Sequence, residues 1–370
     1  MLEKLKMPLV GGLVAVVAIV LVLLGNPANM GFCIACFLRD TAGALGLHEA
    51  STVQYVRPEI IGILLGSFVL SIIRKEFSPK GGSAPVTRFA LGFALMLGAM
   101  IFLGCPLRML LRIGGGDFNA IVGLFGFVAG ILVGIFFLKK GFTLKRNYEV
   151  SRTDGYLPPL AALIVLGILL LVPSILAFST EGPGSMHAPI WVSLIAGLVI
   201  GAVGLVSRLC FVGGIRDAVL LKKFSMLSAY ITLIVVAIIG NLILGNFKLG
   251  FEGQPIAHTD GIWNFLGMAL VGLCSALLGG CPFKQLVLAG SGNSDSAVTV
   301  VGMIFGVAFA HNFSMASSAA GVTTNGQIGF VIALVVVVLI AVYNTFIKAR
   351  MRGTLAEKAM AEAVTGEQAQ

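Results

Sequence analysis

Ten long apolar runs constrain the fold of this chain more than any other feature. Each run holds roughly 17 residues or more, about the length of a helix that crosses the hydrocarbon core of a bilayer. Hydrophobic residues make up 58% of the 370 residues and charged residues 11%, which leaves too little polar surface for a water-soluble globule. The sequence therefore predicts an all-α, polytopic membrane protein. The predicted spans are 8–25, 58–74, 87–104, 118–138, 158–178, 190–206, 225–245, 262–279, 297–313 and 327–347.

Basic residues cluster in the loops on one side of these spans. Lys and Arg outnumber Asp and Glu by 25 to 16, and the positive-inside rule explains the excess as a mark of the cytoplasmic side. The opposite loops at 179–189, 246–261 and 314–326 carry one basic residue, Lys248. This distribution predicts a bacterial inner-membrane protein with both termini in the cytoplasm. It argues against nucleic acid as a partner, because no basic stripe with interleaved aromatic residues occurs.

Two cysteine motifs each occur twice. Cys33 is followed at six and seven residues by an Arg-Asp pair, and Cys210 is followed by the same pair at the same distances. A Gly-Cys-Pro-x-basic motif occurs at Cys105 and again at Cys281. The first motif recurs after 177 residues and the second after 176. These matched offsets indicate that the chain is two copies of one unit.

The two copies are predicted to have opposite orientations in the membrane. An odd number of spans separates them, as in transporters built from inverted-topology repeats. Each copy also carries a small-x-x-x-small stripe, typical of closely packed membrane helices, at Gly126 and Gly130 and at Gly302 and Gly306. The predicted organisation is a first membrane repeat at 1–138, a cytoplasmic linker with a linker helix and outer loop at 139–189, a second, inverted repeat at 190–313, a last membrane helix at 314–347 and a polar cytoplasmic tail at 348–370.

Four segments that carry the motifs are too short and too polar to span. Non-helical backbone at membrane depth needs protein or a water-filled cavity to satisfy its hydrogen bonds. We therefore interpret all four as re-entrant short helices, two from each side, which gives an hourglass with an outer and an inner funnel. They are residues 31–46, 105–114, 208–222 and 281–291.

The Cys-Pro motifs predict sulfur atoms at helix N-termini. Proline suits the first turn of a helix, because its missing N–H would lack a partner there anyway. Cys105 and Cys281 would then lie where free backbone N–H groups and the helix dipole favour an anion. Arg108 and Lys284 follow one turn later on the same side. This combination indicates a site for a sulfur-containing or similar anion, and the alternative is a buried structural cysteine before an ordinary proline start.

The other motif leaves more than one interpretation open. Arg39 and Arg216, each next to an aspartate, either serve function, as ionisable groups at membrane depth usually do, or fix the re-entrant turns as structural ion pairs. Cys33 and Cys36 have the CxxC spacing of a redox pair, but the βαβ context is absent and Gly213 stands at the position of Cys36 in the second copy. The sequence predicts no metal site and no cofactor, because no histidine clusters with these cysteines and no nucleotide-binding motif is present.

Taken together, the motifs resemble the YeeE/YedE membrane family. The resemblance is carried by residues 31–40 (GFCIACFLRD), by residues 208–217 (RLCFVGGIRD) and by the two Gly-Cys-Pro-x-basic motifs, and it covers nearly the whole chain except the C-terminal tail. The family includes thiosulfate importers, whose substrate passes along pathway cysteines, and a branch described as selenium transporters. With four cysteine motifs, this chain looks closer to the selenium-associated branch, YedE. The resemblance thus implies import of a small inorganic sulfur or selenium species.

The resemblance also implies a relay of cysteines along the pathway. Neutral thiols, kept protonated by burial, would act as weak S–H donors to the anion, and nearby cations would offset its charge in the low-dielectric interior. The implied pathway residues are Cys33, Cys36, Cys105, Cys210, Cys281, Arg39, Arg108, Arg216 and Lys284.

Two other classes of function stay open. A membrane thiol or persulfide oxidoreductase would use the cysteines to pass electrons or sulfane sulfur across the bilayer, with disulfides or persulfides formed during turnover. The basic inner loops also fit a membrane scaffold for a cytoplasmic sulfur- or selenium-handling protein.

Overall fold

The computed structural model describes residues 2–347, and these residues are almost entirely helical. Two short strands among them, β1 (Lys80–Gly81) and β2 (Tyr148–Glu149), pair antiparallel. The predicted polar tail at 348–370 lies outside the described residues. In chain order the helices are α1 (Leu2–Leu23), α2 (Ile34–Ala44), α3 (Pro58–Ile73), α4 (Pro85–Phe102), α5 (Pro106–Gly114), α6 (Phe118–Lys139), α7 (Arg152–Leu171), α8 (Ile190–Ser207), α9 (Gly213–Leu221), α10 (Ser225–Ile243), α11 (Gly261–Leu278), α12 (Pro282–Gly290), α13 (Ser294–Asn312) and α14 (Thr324–Val342).

The long helices have the length and composition of membrane spans. Nine segments within residues 2–347 are helical, long and apolar enough to cross a membrane. The predicted class, an all-α polytopic membrane protein, is therefore confirmed. Helix α3 is equally apolar but has 16 residues, so its role as a tenth span stays a prediction.

Helix α7 differs from its predicted span at 158–178. It begins at Arg152, because Ser151 caps the N-terminus by accepting a hydrogen bond from the N–H of Thr153 at 3.3 Å. It ends at Leu171, and a single 3-10 turn follows at Pro173–Ile175. A proline lacks the N–H that would continue the helix and restricts the residue before it. The apolar run therefore continues beyond the end of the helix.

A short helix lies in each of the four segments that the sequence predicts to be re-entrant: α2, α5, α9 and α12. Helices α5 and α12 both begin at the proline of their Cys-Pro motif. Both are followed by a glycine in the left-handed region, Gly116 at a φ of +92° and Gly292 at +98°, where a residue with a Cβ would be strained. The same local signals thus define a nine-residue helix twice.

The long helices of one half pack mainly on those of the other. Helix α1 lies against α10 and α3 against α8, while α6 lies against α11 and α4 against α13. If α1 to α6 correspond in order to α8 to α13, as the sequence offset indicates, each of these contacts has its counterpart. Helices α4 and α11, which correspond to each other, meet directly. The pairing supports the internal repeat, and the opposite orientation of the two copies stays a prediction.

Glycines bring these paired helices into backbone contact. A Cβ added at Gly66 of α3 would meet the carbonyl oxygen of Leu198 in α8, and one at Gly201 of α8 would meet that of Ile63 in α3. The predicted stripes are used in the same way, since the glycines of α6 face the backbone of α11 and those of α13 face the backbone of α4. Such small-residue contacts are typical of membrane helices that pack without side chains between them.

Candidate functional site

Cys33 caps the N-terminus of the short helix α2. Its sulfur accepts a hydrogen bond from the backbone N–H of Cys36 at 3.3 Å. The two thiols are also hydrogen-bonded to each other, with 2.9 Å between the sulfur atoms. Both are free thiols and fully buried. The CxxC spacing therefore places two thiols in contact at the start of α2.

Cys105 has the same place at the start of α5. It is the N-cap residue directly before Pro106, as the motif predicts. Its sulfur lies within hydrogen-bond reach of the Cys33 thiol and of the backbone N–H groups of Ala35 and Arg108. The N-termini of α2 and α5 thus converge on a pair of buried sulfur atoms from motifs 72 residues apart.

The second half repeats this arrangement. Cys210 precedes α9, and its sulfur accepts a hydrogen bond from the backbone N–H of Gly213 at 3.3 Å. Cys281 is the N-cap residue of α12, and its side chain lies within hydrogen-bond reach of the Cys210 thiol and of the N–H groups of Phe211 and Lys284. Both cysteines are buried. The structure therefore groups the four predicted cysteines in two pairs, a grouping that the sequence did not indicate.

Arg108 joins the first cysteine pair through Cys36. Its guanidinium is fully buried and donates to the sulfur of Cys36 at 3.6 Å. It also donates to the carbonyl oxygens of Leu103 and, at 3.2 Å, of Ile256. The positive charge is thus fixed by backbone carbonyl groups on two loops. Cys36, which has no counterpart in the second copy, is the sulfur atom that this cation contacts.

Arg39 does not stand free beside the cysteines, because it forms part of a buried ion triad. Asp40 lies between Arg39 and Arg57, with 2.7 Å between charged atoms in each pair. Arg57 also donates to the carbonyl oxygens of Pro183 at 2.8 Å and Met186 at 3.0 Å. This triad ties α2 to the start of α3 and to the loop before α8. Sequence reasoning did not assign Arg57 a role, although an arginine on the predicted outer side was a signal.

The corresponding cations of the second half are accessible to water. Arg216 pairs with Asp217 at 2.9 Å, and these side chains are 30% and 24% exposed. The Nζ of Lys284 is partly exposed and lies 3.5 Å from the carbonyl oxygen of Gly279. The two cysteine pairs therefore differ in their surroundings, because the first has fully buried charges and the second has hydrated ones.

Two histidines connect the loop after α2 with the end of α13. The rings of His48 and His311 stack with 4.6 Å between their centroids. The Nε2 of His48 lies 2.9 Å from the carbonyl oxygen of Arg39. Burial lowers the pKa of His48 below its usual value of 6.5, which keeps its ring uncharged at neutral pH. The contact positions the loop and adds no charge to the site.

Glu59 is a further buried group that sequence reasoning missed. It lies in the first turn of α3 and is fully buried. Its Oε1 accepts hydrogen bonds from Asn26 at 2.9 Å and from Ser193 at 3.0 Å. The available signal was that Glu59 is the only acidic residue in the predicted span 58–74.

Comparison with known proteins agrees with this site. No curated protein matches the chain. Residues 206–369, which include Cys210, Cys281 and the helices that carry them, match a family model described as sulphur transport. The matched region covers the second cysteine pair, and the first pair repeats its geometry. The match thus supports what the cysteine motifs indicate, that this chain is a membrane protein of the YeeE/YedE family of sulphur transport proteins.

Proposed function

We propose that this protein imports a small reduced sulfur- or selenium-containing anion across the bacterial inner membrane. The observation that carries the proposal is that each half brings its two motif cysteines together at the N-termini of short helices. Helix N-termini attract anions, and thiols donate weak hydrogen bonds that suit a large, polarisable sulfur or selenium atom. The sulphur transport match to residues 206–369 supports the same class of substrate.

The two cysteine pairs act in succession in this proposal. If the two copies are inverted repeats, the pair at Cys33 and Cys105 faces the outer funnel and the pair at Cys210 and Cys281 faces the inner one. Arg108, with Cys36, offsets the charge of the anion at the first pair, and Lys284 does so at the second. Arg39 and Arg216 contribute through their field, since both are engaged in ion pairs with the adjacent aspartate. The hydrated cations of the second pair favour release of the anion to the cytoplasm, where a sulfur- or selenium-handling protein would receive it.

Within this class we favour a selenium species as the physiological substrate, with thiosulfate as the alternative. The four cysteine motifs, which resemble the selenium-associated branch, support the first choice. The sulphur transport family match supports the second equally well.

Uptake of labelled thiosulfate into proteoliposomes tests the proposal, with selenite, selenosulfate and sulfate as competitors. Replacing Cys105 and Cys281 together by alanine is expected to lower uptake roughly tenfold or more, since each lost hydrogen bond is worth about 1 kcal/mol. Cys274→Ala is the matched control, because this cysteine is equally buried but lies in α11 outside both pairs. A folded wild-type protein that takes up neither thiosulfate nor a selenium anion would refute the proposal.

A membrane thiol oxidoreductase is the second candidate, and the contact between Cys33 and Cys36 favours it. Two thiols in contact form a disulfide when they lose two electrons and two protons to an acceptor. Mass spectrometry of the protein, rapidly alkylated during thiosulfate uptake, separates the two functions. Disulfides or persulfides that accumulate during turnover identify the oxidoreductase, whereas a relay leaves all six cysteines as thiols.

A further inference from the structure

Glu59 is a buried carboxylate that differs from the others in this chain. The remaining buried carboxylates of the described residues each form an ion pair with an arginine: Asp40, Asp117 and Asp295. For Glu59 no ion pair is found within residues 2–347. Its Oε1 accepts two hydrogen bonds, and its buried Oε2 has no hydrogen-bond partner in the same part of the chain. A carboxyl group buried without a cation is one that can bind and release a proton, because burial disfavours its charged form.

The groups around Glu59 link it to the loop before α8. The uncharged side chains of Asn26 and Ser193 face it from the end of α1 and from α8. The titratable or charged groups that face it are Tyr55, Arg57 and His187. Together they form a small polar cluster where α3 and α8 begin.

His187 and Tyr55 connect this cluster with solvent. The rings of these residues stack with 3.9 Å between their centroids. The hydroxyl of Tyr55 is buried and, like Oε2 of Glu59, has no hydrogen-bond partner among the described residues. His187 is exposed in the loop at 179–189, which the charge distribution places outside. Burial of part of the ring lowers the pKa of His187, so this residue is uncharged near pH 7 and can accept a proton from the outer solution.

Asn26 connects Glu59 with the first cysteine pair. The Nδ2 of Asn26 donates to Glu59 and also to the carbonyl oxygen of Gly31 at 3.2 Å, and its Oδ1 accepts from the N–H of Ala188 at 2.8 Å. Gly31 lies two residues before Cys33. Hydrogen bonds to a charged carboxylate are stronger than those to a neutral one. Protonation of Glu59 therefore weakens the hold on the segment that carries Cys33.

Net import of an anion needs a driving force, because the membrane potential opposes entry of negative charge. The chain has no nucleotide-binding motif, so an ion that moves with the substrate is the physical alternative. We propose that Glu59 binds a proton that crosses the membrane together with the anion, and this inference rests on the proposed function. In the proposed step the carboxylate of Glu59 takes up one proton from the outer solution, the segment before Cys33 moves, and the proton leaves to the cytoplasm after the anion.

Two assays on the same proteoliposomes test the inference. Exchange of labelled for unlabelled thiosulfate at equal pH on both sides reports the pathway alone. Net uptake with an alkaline interior, with proton entry followed by a pH-sensitive dye inside the vesicles, reports coupling. The variant is Glu59→Gln, which keeps the shape and loses the titratable group. The matched control is Glu181→Gln, the same change at an exposed acid in the outer loop.

In the wild type and in Glu181→Gln, each pH unit should raise the accumulation of thiosulfate roughly tenfold for each proton carried, and proton entry should accompany uptake. Glu59→Gln should keep exchange within about twofold of wild type, lose proton entry and respond less than about twofold to the gradient. Wild-type exchange without gradient-driven uptake or proton entry overturns the inference and leaves the proposed function standing. Absence of exchange in the wild type overturns both.

A second variant covers the case in which Glu59→Gln does not fold. Glu59→Asp keeps a carboxyl group but withdraws it from Asn26 and Ser193, so proton entry should persist with a shifted dependence on outer pH. An unshifted dependence in Glu59→Asp, or wild-type proton entry in a folded Glu59→Gln protein, overturns the assignment to Glu59.

Discussion

Asp40 and Asp217 show how one motif serves different ends in the two halves. Asp40 has two arginine partners and no exposed surface. Asp217 has one arginine partner and remains partly hydrated. Arg57 makes this difference, because it has no basic counterpart at the corresponding positions, where Leu233 and Ile234 stand. The first pair is thus held by a rigid charged group, while the second adjoins charges that an anion in water can reach.

We expect Asp40→Asn to destabilise the protein by about 3–5 kcal/mol, because it leaves two buried guanidinium groups without a counter-ion. Asp217→Asn is the control from the other copy of the motif. It should cost about 1 kcal/mol or less, since exposed ion pairs contribute little. Thermal unfolding of both variants in the same detergent measures the difference. Equal losses of stability would mean that the burial of the triad has no energetic consequence.

At the scale of residues, the sequence predicted which cysteines matter but not how they meet. The repeat and the proline after each of Cys105 and Cys281 were enough to place these two sulfur atoms at helix N-termini. Their pairing with Cys33 and Cys210 depends on how two short helices approach each other in space. No local signal reports the distance between segments some 70 residues apart.

At the scale of helices, local signals defined the short elements better than hydropathy defined the long ones. The predicted segment 105–114 and the helix Pro106–Gly114 differ by one residue, because proline and glycine mark both ends. The segment 208–222 contains no proline, and its helix begins only at Gly213. For α7, hydropathy predicted an apolar run correctly, but a proline ended the helix seven residues before the predicted end of the span. Hydropathy reports where a chain is apolar, not where it is helical.

The contact between α3 and α8 gives a prediction at this scale. We expect Gly66→Ala to destabilise the protein by about 1–3 kcal/mol, because the new methyl group meets the carbonyl oxygen of Leu198 and overpacks the contact. Gly167→Ala in α7 is the control, since a Cβ there meets nothing within 4 Å and alanine favours a helix by up to about 1 kcal/mol. Thermal unfolding should rank the wild type above Gly66→Ala and no higher than Gly167→Ala. A fully stable Gly66→Ala protein would argue against the close approach of the two helices.

At the scale of the molecule, the repeats are not separate folding units. Each long helix of the first half, α1, α3, α4 and α6, has its main partner in the second half. The predicted repeats at 1–138 and 190–313 therefore describe the sequence symmetry of the chain, while its core is shared between them. Sequence periodicity indicated the repeat, but it held no information on which copy each helix would contact.

Labelling with a membrane-impermeant maleimide tests the predicted orientation. Glu181→Cys in the outer loop should react in intact cells, whereas Lys140→Cys after α6 should react only after the membrane is permeabilised. Both positions are exposed, and the six native cysteines are buried, so background labelling should be low. The opposite pattern would reverse the orientation, and labelling of both sites in intact cells would contradict the number of spans between them.

The glycine contacts between α3 and α8, α6 and α11, and α4 and α13 limit which motions can accompany transport. Backbones that touch cannot roll or slide past each other without opening voids at several seams at once. Motion is then confined to the short helices and their connecting loops, within a frame of constant outline. The surface presented to lipid would stay nearly the same throughout the cycle, so that the transport rate should depend little on the thickness or the lateral tension of the bilayer.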